Sequence, residues 1–226
     1  VACLLGTVMA YADGVVVQPL VAACATWVAL LMHALANVLN DYHDALNGAD
    51  AANTQGVFPF TGGSRFIQTG TVTVAQTRQL VWVLFALCVP GALWLLWAVG
   101  PSVCAFGVVG LFLAWAYSAP PLSLMCRGLG ELTVGLSWGL MVLGADYVQR
   151  GNMAPWTLSV ALSYSLLIGN ILLINGVPDA EADARVGKRT LAVRLGPARV
   201  AWVYAAWAWV SVIVLVWGAT AGHLPA

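Results

Sequence analysis

Seven apolar runs, separated by three polar segments, fix what this chain can fold into. A helix crossing the hydrocarbon core of a bilayer needs about 20 largely apolar residues. The runs lie at 1–12, 19–39, 79–99, 102–117, 132–148, 155–174 and 200–218. The shorter pair, 102–117 and 132–148, leave room to begin or end in polar cavities rather than in lipid. Charged residues make up only 8% of the 226, against about 25% in an average soluble domain. The fold class is therefore all-α, a polytopic transmembrane helical bundle surrounded by membrane lipid. Its 11 tryptophans suit a chain with many membrane–water boundaries, where indoles settle. Formal net charge is zero, which gives no basis for a nucleic-acid partner.

Residues 1–226 read as a single membrane domain. The chain opens inside an apolar run, Val1 to Met9, and closes on Gly222-His223-Leu224-Pro225-Ala226, which reads as a turn. The expectation is a fragment whose first span is truncated. Gly100-Pro101 is short enough to make the third and fourth spans an antiparallel hairpin. Cys3, Cys24, Cys88, Cys104 and Cys126 are scattered, without zinc-ligand spacing, and read as small packing residues.

If the spans alternate, the segments 40–78, 118–131 and 175–199 share one side. That side carries Arg65, Arg78, Arg127, Arg185, Lys188, Arg189, Arg194 and Arg199, and the other only Arg150. The imbalance makes the basic side cytoplasmic. The same side collects Asp41, Asp44, Asp50, Glu131, Asp179, Glu181 and Asp183, leaving Asp13 and Asp146 elsewhere. Asp146 reads either as a solvated helix end or as a partner of Arg150.

Two acidic motifs carry the chemistry. Asn37, Asp41 and Asp44 close the second run at spacing i, i+4, i+7, so a continuing helix stacks them on one face. Carboxylates at a membrane helix end are costly unless wet or liganded, and hard oxygen ligands suit Mg²⁺ completed by substrate phosphates. The alternative is a solvated helix end with an Asx-rich turn at Asn47-Gly48. Asn175, Asp179 and Asp183 close the sixth run at i, i+4, i+8, followed by Gly187-Lys188-Arg189-Thr190. Alone this reads equally well as a charged loop that sets topology. Two such clusters facing one another would repel unless divalent cations lay between them. An anionic diphosphate gives that arrangement a purpose, with nearby Lys and Arg on its remaining oxygens.

This pairing resembles the UbiA superfamily of intramembrane aromatic prenyltransferases, with one Asn/Asp-rich motif after helix 2 and another after helix 6. Gly62-Gly63-Ser64-Arg65-Phe66-Ile67-Gln68-Thr69-Gly70, Arg127-Gly128-Leu129-Gly130-Glu131 and the run Gly187 to Gly196 look closest to the 1,4-dihydroxy-2-naphthoate polyprenyltransferases of menaquinone synthesis. The resemblance implies nine spans around a central cavity, of which this chain would lack the start of helix 1 and helices 8 and 9. It implies Mg²⁺-dependent transfer of a polyprenyl group from polyprenyl diphosphate to an aromatic acid acceptor, at the cytoplasmic face of a bacterial inner membrane. By the family's motif, Asn37, Asp41 and Asp44 match the first Mg²⁺–diphosphate cluster, with Asp50 beside it. Asp179 and Asp183 match the second, with Asn175. Arg65 and Lys188 match cationic positions that touch diphosphate. Tyr117, at the end of span four, reads either as an interfacial-belt residue or as a shield for an allylic cation by cation–π contact.

Two departures bear on the acceptor. Tyr117-Ser118-Ala119-Pro120-Pro121-Leu122 resembles other branches, many of which carry a Lys that is missing here, so either Arg127 takes over its role or the role is absent. Pro178 precedes Asp179 where an Arg is common, and the expectation is that the second motif starts after a bend. Other acceptors, such as 4-hydroxybenzoate, homogentisate or a chlorophyllide, remain open. A transporter is the alternative from another class, but ionisable groups gather at one interface rather than at mid-membrane helix breaks.

Overall fold

The computed structural model describes residues 1–54, 56–57 and 61–220, so the turn expected at 222–226 lies outside the described residues. Among them only helices and connecting loops occur. The helices are α1 (Ala2–Ala12), α2 (Pro19–Asn47), α3 (Ala49–Ala52), α4 (Val74–Val99), α5 (Val103–Ser118), α6 (Gly130–Arg150), α7 (Pro155–Arg185), α8 (Leu191–Leu195) and α9 (Pro197–Thr220), with a 3₁₀ turn over Leu124–Arg127.

A helix stands at each of the seven apolar runs. Four of them, α2, α4, α7 and α9, are long and apolar enough to cross a membrane by length and composition. The first run and 102–117 form shorter apolar helices. The fifth, α6, has 21 residues but carries Glu131, Asp146 and Arg150, and its buried residues run from Gly130 to Gln149. It is the centre of the bundle, packed against α1, α5 and α7, while α2 packs on α4 and α9 on α7.

Local sequence explains the helix ends. Pro19 and Pro155 open α2 and α7, where a missing N–H costs nothing. Thr73 and Gln76 form a reciprocal capping box at the start of α4. Gly48 closes α2 at φ 81°, a left-handed conformation that suits glycine. Pro178 does not break the second motif away from its span. The α7 helix runs through it without interruption to Arg185, so Asn175, Asp179 and Asp183 share one continuous helix. Proline removes one N–H and crowds one preceding carbonyl, and packing of α7 against α3, α8 and α9 holds the helix across that gap.

Close approach to α6 depends on glycine. A methyl group at Gly6 would lie 2.1 Å from the Val142 carbonyl oxygen, and one at Gly139 would lie 2.2 Å from Ser165 Oγ. Small residues let membrane helices meet this tightly. Gly6→Val should lower stability by about 1–3 kcal/mol through overpacking. Gly107→Val, where nothing lies within 4 Å, should leave it unchanged. Thermal unfolding in detergent separates the two. On α9, Trp202 and Trp209 are exposed, as expected of lipid-facing indoles, whereas Trp207 packs over Gly169.

Candidate active site

Because α2 continues to Asn47, the first acidic motif is helical and Asp44 turns inward, 6% exposed. Asn40 and Asn47 donate to its two oxygens at 3.1 and 3.0 Å. Lys188 donates to both as well, at 3.1 and 3.0 Å. The same ammonium lies 3.5 Å from Asp183 Oδ1 on α7. The loop after α7 turns back at Gly187 (φ 77°), and the Lys188 N–H donates to the Asp183 carbonyl oxygen at 2.9 Å. One lysine thus ties together two motifs far apart in sequence.

Asp179, one turn earlier on α7, accepts from Asn53 Nδ2 at 2.7 Å and from the Gly62 N–H at 3.1 Å. Arg65 donates to the Asn53 carbonyl oxygen at 2.9 Å. Asn53 and Gly62 are therefore both tied to α7 through Asp179. Asp50 is 6% exposed and accepts from Gln68 at 3.2 Å. A Cβ on Gly63 would lie 2.8 Å from an Asp50 oxygen, so that backbone needs glycine both for contact and for its φ of 72°.

Together these groups wall a cavity of about 230 Å³, slightly below the usual range for a small-molecule pocket. Of the residues expected from sequence, Asp44, Asp50, Tyr117, Asn175, Asp179, Asp183 and Lys188 line it. Four others do not. Asn37 is exposed on α2 and donates to the His33 carbonyl oxygen at 2.8 Å. Asp41 is half-buried beside the wall. Arg65 supports the loop from behind. Arg127 donates to the Pro121 carbonyl oxygen at 2.7 Å and is exposed, which corrects the expectation that it stands in for the missing lysine. Its guanidinium ties down the turn that follows α5.

Asn40, Asn53 and Glu131 also line the cavity and were not singled out from sequence. Asn40 was legible as a member of the first motif at i−4 from Asp44. Asn53 had no periodic signal, because its partner Asp179 is 126 residues away.

The electrostatics are one-sided. Burial first, then the neighbouring Asp44 and Asp41 carboxylates, push the Asp50 carboxyl up to about 7. Burial alone would lower Lys188, but Asp44 and Asp183 outweigh it and hold the ammonium well above the usual lysine range. Four aspartates line the cavity against one lysine, so the wall carries excess negative charge. Such a donor set fits Mg²⁺. Among the described residues no three His, Cys, Asp or Glu side chains converge closely enough to hold an ion unaided. That agrees with the habit of Mg²⁺ of taking one or two carboxylates and completing its shell with water and phosphate oxygens.

Comparison with known proteins places this geometry in context. The family model described as "UbiA prenyltransferase family" matches residues 1–226. A 1,4-dihydroxy-2-naphthoate octaprenyltransferase of Escherichia coli K12 is 32% identical over 204 residues, 86% of this chain and 63% of the relative. One from Mycobacterium tuberculosis is 33% identical over 192 residues, 80% of this chain and 63% of the relative. The Arabidopsis thaliana chloroplastic chlorophyll synthase is 29% identical over 170 residues, covering 73% of this chain and 41% of that protein. The chain thus spans less than two thirds of the length of these curated relatives. Among solved structures, a UbiA homolog from Archaeoglobus fulgidus bound to GPP and Mg²⁺ superposes with a TM-score of 0.65 at 18% identity. That match covers 94% of this chain and 73% of the other, and it shows a shared fold.

Proposed function

Since the chain belongs to the UbiA prenyltransferase family, we propose that its cavity is the diphosphate end of an Mg²⁺-dependent prenyl transfer site. The reaction moves a polyprenyl group from its diphosphate to an aromatic acid. The observation that carries this reading is Lys188 held between Asp44 and Asp183, which brings two acidic motifs and one cation to a single cavity. A structural ion pair would need one partner, and this cavity has acid to spare.

Asp44, Asp50, Asp179 and Asp183 would hold Mg²⁺, with Asn40 and Asn175 as neutral oxygen donors at the same wall. When bound, the metal supplies positive charge to a departing diphosphate. Lys188 adds a fixed ammonium to the phosphate oxygens. Asn53, held by Asp179 and Arg65, closes part of the cavity wall together with Gly62 and Gly63 and limits water. Tyr117 presents a ring in the cavity wall, where it shields an allylic cation from hydrolysis.

The acceptor we favour is 1,4-dihydroxy-2-naphthoate, supported by the octaprenyltransferase relatives and by the three sequence stretches that resemble that branch. Attack at the carbon bearing the carboxylate then expels CO₂. The chlorophyll synthase relative keeps a second acceptor class in view. The excess of basic residues in the loops at this end supports a cytoplasmic orientation of the site, in what we take to be a bacterial inner membrane.

Purified protein in detergent, given polyprenyl diphosphate and a panel of aromatic acids, should yield a prenylated product by mass spectrometry. Chelation of divalent cations should abolish it, and added Mg²⁺ should restore it. Undiminished transfer in the presence of chelator, or no product with any acceptor, would refute the reading.

A further inference from the structure

One group in the cavity wall has no role in holding a diphosphate. Glu131, the second residue of α6, is 4% exposed and lines the cavity, yet among the described residues its Oε2 has no hydrogen-bond partner. Every other acid in the wall is engaged: Asp44 and Asp183 by Lys188, Asp50 by Gln68, Asp179 by Asn53 and Gly62. An acid in the first turn of a helix is commonly explained by the helix dipole. That explanation suits a wet carboxylate. A buried one with an unmade bond costs stability, so a purely structural role gives no return for the burial.

The surroundings indicate what the oxygen awaits. Gly130 packs against the Tyr117 ring, where a Cβ would lie 3.4 Å away, and against Met125. Leu172 adds another apolar side chain to the wall. No side-chain hydrogen bond or ion pair joins Glu131 to Lys188 or to the aspartates among the described residues, and it belongs to no metal-competent trio of side chains. Glu131 thus shares the cavity wall with Tyr117, Met125 and Leu172, a setting that suits an aromatic ring carrying a hydroxyl group.

We propose that Glu131 is a catalytic residue that takes the hydroxyl proton of the aromatic acceptor. This rests on the prenyl-transfer reading above. As the proton passes to the Glu131 carboxylate, the O–H electron pair becomes a C=O bond. The displaced ring π pair forms the new C–C bond to the allylic carbon, whose C–O bond breaks with its pair leaving on the diphosphate. The resulting dienone regains aromaticity when the ring carbon loses CO₂. The C–C pair re-enters the ring, and the proton returns from Glu131 to the oxygen, so the carboxylate is regenerated without any further reactant.

Glu131→Gln keeps the shape and removes the basicity. General-base contributions are typically 10²–10⁴-fold, so kcat should fall at least about 100-fold, with KM for the prenyl diphosphate within about twofold. Thermal stabilisation by prenyl diphosphate plus Mg²⁺ should be retained. Glu131→Asp should recover part of the rate. A ring-fluorinated acceptor, whose hydroxyl is more acidic, should recover the Gln variant more than it speeds the unaltered protein, an effect that a packing role cannot produce. Turnover within threefold of normal, loss of the Mg²⁺-dependent stabilisation, or no selective recovery by the acidic acceptor overturns the assignment. If the unaltered protein transfers no prenyl group to any acceptor, the parent reading fails and this one falls with it, a result distinct from any effect of residue 131.

Discussion

Asp183→Asn is expected to lower Mg²⁺-dependent prenyl transfer by about a thousandfold, the range seen when a fixed electrostatic contact to a reacting group is lost. The residue is 7% exposed and its Oδ1 lies 3.5 Å from Lys188 Nζ. The substitution removes one negative charge from the cavity while preserving volume. Folding should survive, because Lys188 keeps both bonds to Asp44 and its N–H still donates to the residue 183 carbonyl. The concentration of Mg²⁺ giving half-maximal rate should rise. Glu181→Gln is the matched control: it lies two residues away on α7, but its side chain is 59% exposed and, among the described residues, its ion pair is with exposed Arg185. An exposed pair of that kind contributes little, so activity should stay within about twofold. Steady-state kinetics across an Mg²⁺ titration compares them. If Asp183→Asn turns over within tenfold of normal, or if Glu181→Gln falls as far, the loss is not a property of the cavity.

The contrast between those two residues marks what periodicity could and could not reveal. Spacing of i, i+4 and i+8 put Asn175, Asp179 and Asp183 on one helical face, and all three line the cavity. Glu181 falls off that face, and the structure leaves it outside. The helical reading of the first motif also holds, because α2 really does continue through Asp44. Pro178 leaves the helix unbroken, since a rule about isolated helices met one braced by three neighbours. Arg127 misled: charge and approximate position were visible, but the direction of a loop side chain was not. Asn53 and Glu131 owe their places to tertiary contacts, one across to Asp179 and the other to a cavity that exists only after α5, α6 and α7 assemble. Glu131 was visible as one more acid on a charged face. Its burial and its unpartnered oxygen were not.

The end of the bundle remote from this cavity offers the second large effect, on stability rather than rate. Asp146 on α6, 2% exposed, accepts from Arg150 at 2.9 Å and from Thr157 on α7 at 3.1 Å. Arg150 also reaches Asp13, just beyond α1, and its guanidinium stacks 5.3 Å from the centroid of the Trp156 ring. Trp156 Nε1 donates to the same Asp13. Of the two readings open from sequence, partner of Arg150 is the one observed, and the group is buried rather than solvated. One arginine therefore clasps three helices. Arg150→Met should cost about 3–5 kcal/mol, because it strands Asp146 in a buried site and leaves Asp13 with only the indole. Replacing the buried acid as well, in Arg150→Met with Asp146→Leu, should recover much of that loss, since removing both partners of a buried pair is often nearly neutral. The coupling between the two substitutions, read from thermal unfolding in detergent as a double-mutant cycle, should exceed 1 kcal/mol. Simple additivity would mean that the clasp holds nothing. Prenyl transfer per folded molecule should be the same in all four proteins, because the clasp shares no side chain with the cavity wall.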